Sequence, residues 1–229
     1  MCGQDVESWV SFDIETSEFS RCIGAVGSNP ARLWCPVCRS TDRERHLLMF
    51  FGALRILERL TGGAVLHIAP EPILVTAIRC ARPRHYVKGD LTPNHSSVEP
   101  IDVERIPYPD QTFDLAVCNH TLEHVTDPGR ALSELRRILK PGGRLICQTP
   151  YAERLSKTFE EPLLQSPEQR TFLYGQDDHL RAFGRDIVAI IAAAGFAGRL
   201  IPHEEIIQGV DPEMLGINEF EPFFDFVAV

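Results

Sequence analysis

The chain has 229 residues, 44% of them hydrophobic and 24% charged, which is a globular balance with room for one α/β core and a small extra element. Its 32 acidic and 23 basic side chains leave a formal net charge of −9, which argues against nucleic acid as a partner because neutralising phosphates takes a basic surface. No apolar run approaches the ~18 residues of a membrane helix, and the N-terminus lacks the basic-then-apolar pattern of a secretory signal, so a cytoplasmic protein acting on a small molecule, away from membranes, is expected.

Residues 1–42 show neither helical nor alternating periodicity and hold four of the seven cysteines: Cys2, Cys22, Cys35 and Cys38. An odd cysteine count without a secretory pattern speaks against a disulfide framework. Cys80, Cys118 and Cys147 lie in apolar segments and read as reduced core residues. From Arg43 onward Leu47, Phe50, Phe51, Leu54 and Leu57 form the stripe of an amphipathic helix, ended by Thr61-Gly62-Gly63. The chain therefore divides into a Cys-rich N-terminal element, 1–42, and a main domain, 43–229.

The main domain alternates strands and helices. Ala64 to Ile68 reads as a buried strand, Pro72 to Cys80 as a helix, and His85 to Val87 as a second strand closed by Gly89-Asp90. Val98 to Asp102 is a third strand, weakened by Pro100, and Phe113 to Cys118 a fourth. Asp127-Pro128 caps a helix running through Leu139, Lys140-Pro141-Gly142-Gly143 stops it, and Arg144 to Gln148 is the next strand. Thr149 to Phe183 is polar and irregular. A helix from Asp186 to Ala194 and strands at Phe196 to Ile201 and Phe223 to Val229 complete the pattern, a mostly parallel sheet with helices on both faces.

Open α/β sheets bind ligands beyond the carboxyl ends of their strands. Those places here are His67 to Pro72, Asp90, Asp102, Asn119-His120 and Gln148 to Tyr151. Three stretches resemble class I methyltransferases dependent on S-adenosylmethionine (SAM), of the methyltransferase type 11 kind. They are Ile101 to Asp114, His120-Thr121-Leu122-Glu123-His124-Val125, and Leu135 to Gly143, in the family's order and spacing. The resemblance extends from about Ala64 to the C-terminus and implies a Rossmann-like fold with a seven-stranded, mostly parallel sheet and SAM as cofactor. By that resemblance Asp90 holds the ribose hydroxyls with Leu91 beside it, and Asp102 with Val103 meets the adenine. His67, Ala69, Pro70, Glu71 and Asn119 would then line the methionine side, with Glu71 facing the ammonium group. A carboxylate suits the ribose because it accepts from both hydroxyls. The family's first loop is glycine-rich, whereas this one reads His67-Ile68-Ala69-Pro70-Glu71-Pro72. SAM lacks the pyrophosphate that makes glycines necessary, so the departure argues against a nicotinamide or flavin cofactor.

A narrower resemblance is to an uncharacterised bacterial branch with a Leu-His-x-Ala-Pro-Glu loop, a Cys-rich N-terminus and an Asp-His-x-Arg motif, here Leu66 to Glu71, Cys35 to Cys38 and Asp178 to Arg181. His120 and His179 are the candidate catalytic bases, with His124 at helical spacing from the first reading as a packing residue. Cys35-Pro36-Val37-Cys38 has the spacing of a zinc knuckle. The branch's preceding Cys-x-x-Cys-Gly is represented only by Cys2-Gly3, so Cys2, Cys22, Cys35 and Cys38 form the candidate set for a structural zinc, with His46 in reserve. The expected reaction is methyl transfer to an oxygen or nitrogen of a small metabolite or sugar-like acceptor. A nicotinamide oxidoreductase and a non-catalytic zinc-stapled binding module are the rivals, and the oligomeric state is left open.

Overall fold

The computed structural model describes residues 3, 6–12, 16–163 and 166–229. In chain order its elements are α1 (Glu18–Ile23), β1 (Ala25–Val26), α2 (Asp42–Ala53), β2 (Ala64–Ile68), α3 (Pro72–Cys80), β3 (His85–Asp90), β4 (Glu99–Pro100), β5 (Phe113–Cys118), α4 (Pro128–Ile138), β6 (Leu139–Ile146), β7 (Tyr151–Ala152), α5 (Pro167–Tyr174), α6 (Ile187–Ala193), β8 (Phe196–Ile201), α7 (His203–Ile206), α8 (Pro212–Leu215) and β9 (Phe223–Ala228). No helix among them is long and apolar enough to cross a membrane.

Every residue of β2 is buried, because successive side chains alternate between two covered faces. Ala64, Leu66 and Ile68 pack with α4 and α6 on one side, and Val65 packs with α2 and α3 on the other. The seven-stranded sheet has the order β4-β3-β2-β5-β6-β9-β8. Only β9 runs against its neighbours β6 and β8. The order reverses between β2 and β5, so the loops after these strands diverge and leave a crevice at their carboxyl ends. This is the Rossmann-like sheet expected from the sequence.

Several local readings shift. The α2 stripe ends at Ala53, because Arg55 takes a left-handed φ of 53°, and Leu57 falls in a following 3₁₀ turn. Lys140 to Gly143 does not separate a helix from a strand but bulges within β6, since Phe113 pairs with Leu139 and Leu115 with Arg144. The segment after β6 contains α5, and Cys80 is exposed at the end of α3, whereas Cys118 and Cys147 are buried as expected.

The described residues before α2 pack against the rest of the chain. β1 pairs antiparallel with β7. Arg45, 2% exposed, lies 4.1 Å from the Trp9 ring centroid and donates to the Leu215 and Gly216 carbonyls. This interlock seats α2 over the crevice.

Candidate active site

The crevice holds a cavity of about 570 Å³ at the ends of β2, β3 and β5. Ala69, Asp90, Leu91, Asp102, Val103, His120, Thr121, His124 and Asp178 are among its lining residues. Asp90 Oδ1 accepts from the Thr92 amide at 2.9 Å and Asp102 Oδ1 from the Glu104 amide at 2.8 Å. Each carboxylate is thus oriented by its own turn while lining the cavity. Gly89 lets β3 approach β4, since a Cβ there would sit 2.7 Å from Ile101 Cδ1. Ala69 and His120 both adopt a left-handed φ of 47°. Their amides donate to the Gly89 and Gln148 carbonyls at 2.8 and 2.7 Å, so the chain turns sharply where β2 and β5 meet the cavity.

His120 also borders a second cavity of about 200 Å³, lined by Arg43, His46, Glu71, Asn119, Gln148 and Glu221 among others. A capping box between Thr41 and Glu44 starts α2 and places Arg43 in its first turn. Arg43 Nη1 donates to His120 Nδ1 at 2.9 Å. A guanidinium only donates, so that ring nitrogen is an acceptor and the proton of the neutral imidazole sits on Nε2. Nε2 lies 3.9 Å from Glu221 Oε1. Burial, and then the Arg43 charge, lower the basicity of His120. Burial pushes the Glu221 carboxyl up to about 7, against the pull of Arg43. Glu71 behaves differently. Burial would raise its pKa, but His67 Nε2 at 2.5 Å and Asn119 Nδ2 at 3.0 Å donate to its two oxygens and hold it below the usual carboxylate range.

The sequence candidates therefore separate. Ala69, Asp90, Leu91, Asp102 and Val103 line the larger cavity, and Glu71 and Asn119 the smaller, with His120 common to both. His67 is fully buried within β2 and is bonded to the Glu71 carboxylate. Pro70 follows Ala69 in the turn but lines neither cavity. His179 is 3% exposed and lines neither cavity; its ring packs edge-on against His124, at a centroid separation of 4.7 Å. His124, read as a packing residue, is half-buried and faces the larger cavity instead. Arg181 of the same Asp-His-x-Arg motif is buried and donates to the Leu122, Val125 and Thr126 carbonyls, clamping the turn after β5.

Cys35 and Cys38 sit on one turn closed by the Arg39 amide donating to the Cys35 carbonyl at 3.0 Å, which suits half a zinc knuckle. Cys22 is exposed on α1, and Cys2 lies outside the described residues. Among the described residues, Cys22, Cys35 and Cys38 do not bring three sulfurs within 4.8 Å of one another. His46 Nε2 is engaged with His203 Nδ1 at 2.8 Å, and burial pushes its pKa down to about 3. Arg43, Glu221 and Glu123 escaped the sequence reading. Only Glu123 lay in a motif, and nothing local marks the other two as cavity residues.

Residues 53–147 match the family described as Methyltransferase domain. An uncharacterized methyltransferase of Schizosaccharomyces pombe is 33% identical over 119 residues, covering 49% of this chain and 42% of that protein. The ubiquinone/menaquinone biosynthesis C-methyltransferase UbiE of Cupriavidus metallidurans is 42% identical over 69 residues, 30% of this chain and 27% of its own length. The chain thus spans less than half the length of either relative. In fold it resembles a chain of the Haloferax volcanii complex between the Trm112 methyltransferase activator and a methyltransferase, with TM-score 0.51, 14% identity, and coverage of 82% of this chain and 92% of that one. A SAM-dependent methyltransferase of Listeria monocytogenes gives TM-score 0.50 at 11% identity, covering 81% and 98% of the two chains. The sheet order and the sequence match agree: residues 53–147 match a methyltransferase domain, and the chain has the fold of the SAM-dependent methyltransferases it resembles.

Proposed function

We propose that the protein transfers the SAM methyl group to an oxygen or nitrogen of a small polar acceptor. The observation that supports this best is the pairing of two unlike cavities at His120. SAM is a nucleoside joined through a sulfonium to an amino acid. The larger cavity offers Asp90 and Asp102 to the ribose and adenine. The smaller sets the Arg43 guanidinium opposite the Glu71 carboxylate, a dipole matched to a carboxylate and an ammonium. His120, its basicity lowered by burial, would face the sulfonium without adding a charge that repels it.

In-line displacement at the methyl carbon forms the acceptor–carbon bond, and the electrons of the breaking S–C bond return to sulfur. Positioning supplies much of the rate. The acceptor also releases a proton. Arg43 occupies the lone pair of His120 Nδ1, so Glu221, buried beside the ring, is the better proton acceptor in this arrangement. His120 then orients the reacting groups, and His179 acts from behind His124. The resemblance to C-methyltransferases supports a carbon acceptor as the second reading.

Titration with SAM, S-adenosylhomocysteine and NAD tests the cofactor. Micromolar binding of the first two without NAD is expected, and absence of both sinks the proposal. Transfer from labelled SAM into hydroxyl, amine and hydroquinone acceptors separates the readings. We keep a structural zinc within the proposal, with Cys35 and Cys38 supplying two of its four ligands and Cys2 and Cys22 the candidates for the others.

A further inference from the structure

We infer that Glu123, His124 and His179 form a divalent transition-metal site in the wall of the larger cavity. One ligand atom from each lies within 4.8 Å of the others. The three residues come from two segments locked together, since the Leu180 amide donates to the Glu123 carbonyl and Arg181 Nη1 to the Leu122 carbonyl, both at 2.9 Å. The cluster is therefore built by the fold and not by chance proximity of surface chains.

The imidazoles are set up as ligands. His179 Nδ1 lies 2.9 Å from the Tyr174 carbonyl, which only accepts, so Nδ1 carries the proton and Nε2 keeps its lone pair in the neutral ring. His124 Nδ1 lies 3.3 Å from Asp178 Oδ2, which likewise turns Nε2 into the available nitrogen. Anchoring one ring nitrogen on an oxygen is how proteins orient metal-bound histidines. The rings meet at 79°, edge to face, and so do not block each other by stacking.

Glu123 supplies the charge. It is 1% exposed, and its Oε2 accepts from the Thr149 hydroxyl at 2.9 Å. Its Oε1 is 3.5 Å from His120 Nδ1, but that nitrogen already accepts from Arg43 and has no proton to give. The nearest guanidinium on the adjoining segment, Arg181, is paired with Glu160 at 2.9 Å. A buried carboxylate with two imidazoles in reach of it is a ligand set that a cation completes.

Two nitrogens and one carboxylate favour zinc, cobalt, manganese or ferrous iron over magnesium or calcium. Metal bonds of about 2.0–2.2 Å place ligand atoms roughly 3.4 Å apart in a tetrahedron, so binding draws the three side chains slightly together. Three protein ligands leave a position open. His124 and Asp178 both line the cavity, so that position faces it. Resting on the methyltransferase reading above, the open position would hold an oxygen of the acceptor.

Chelator-stripped full-length protein is titrated with Co²⁺, following the visible d–d bands and the bound metal by elemental analysis. About one Co²⁺ per chain is expected beyond any held by Cys35 and Cys38, whose thiolate charge-transfer band reports that site separately. H124Q, at a half-exposed position compatible with folding, is expected to weaken Co²⁺ about tenfold or more, and H179Q to do the same. Asp178→Asn, which alters only the anchoring oxygen, should weaken it less. No Co²⁺ outside thiolate-type sites up to about 1 mM, or unchanged binding in H124Q, overturns the site. S-Adenosylhomocysteine binding is measured on the same samples. If it persists while Co²⁺ fails to bind, the metal site falls and the methyltransferase reading stands.

Discussion

Glu221→Gln removes a buried charge while preserving shape, and its consequence can be worked out from the site. Glu221 is 4% exposed, and burial lifts its carboxyl from an ordinary 4.5 to about 7. Between those values the folded chain keeps a proton that the unfolded chain has released. Wild-type stability therefore falls as pH rises through this window, and above about pH 7 the penalty for this group is complete. The full gap corresponds to about 3 kcal/mol, of which roughly 2–3 kcal/mol develops between pH 5 and 8. Glutamine has no such proton. Urea unfolding of the apo protein at both pH values should show the variant gaining about that much on the wild type as pH increases. Parallel pH profiles for the two proteins would refute the reasoning, because they would mean that Glu221 titrates alike in the folded and unfolded chains. The same raised carboxyl predicts that methyl transfer to a hydroxyl acceptor rises with pH through about 7 in the wild type and loses that dependence in E221Q.

Asp90→Ala is expected to weaken SAM binding by about 1.5–3 kcal/mol in calorimetric titration without unfolding the domain, as befits hydrogen bonds to a charged group. Unchanged affinity would remove Asp90 from the ribose site. Arg181→Met strips the Leu122, Val125 and Thr126 carbonyls of their donor and should cost about 3 kcal/mol in urea unfolding, with SAM affinity reduced as the turn after β5 loosens. Ala69→Gly relieves a left-handed φ of 47° and should stabilise the fold by about 1 kcal/mol while SAM still binds; a loss of stability would mean that the turn imposes no strain on alanine. Protein purified without chelator should carry zinc at the Cys35–Cys38 turn that Cys35→Ser removes, and a metal-free preparation with an intact N-terminal element would discard that proposal.

Features set by local chemistry were legible in the sequence, and features set by convergence were not. β2 and β5 read as strands because both of their faces are covered, so their apolar runs are nearly continuous. Asp127-Pro128 announced α4 because a cap and a first-turn proline act within four residues. Asp90 and Asp102 were legible as lining residues of the larger cavity because each ends or follows a strand at the edge where such sheets bind ligands. Lys140 to Gly143 misled because a proline and two glycines fit a helix stop and a bulge equally well; only the pairing of β6 with β5 distinguishes them. Arg43 and Glu221 are the instructive failures. In sequence they are a charged residue in a first helical turn and an acid near the C-terminus, both ordinary on a solvated surface. They meet at the smaller cavity, Glu221 buried and Arg43 half-buried, because α2 is held over the sheet by Arg45 and Trp9, and because β9 enters antiparallel beside β6, bringing residue 221 back to the end where the parallel strands finish. A charge comes to line a cavity here when the topology shields it from water and supplies a neighbour. That neighbour, His120, lies 77 residues from Arg43 along the chain, beyond the reach of any local pattern.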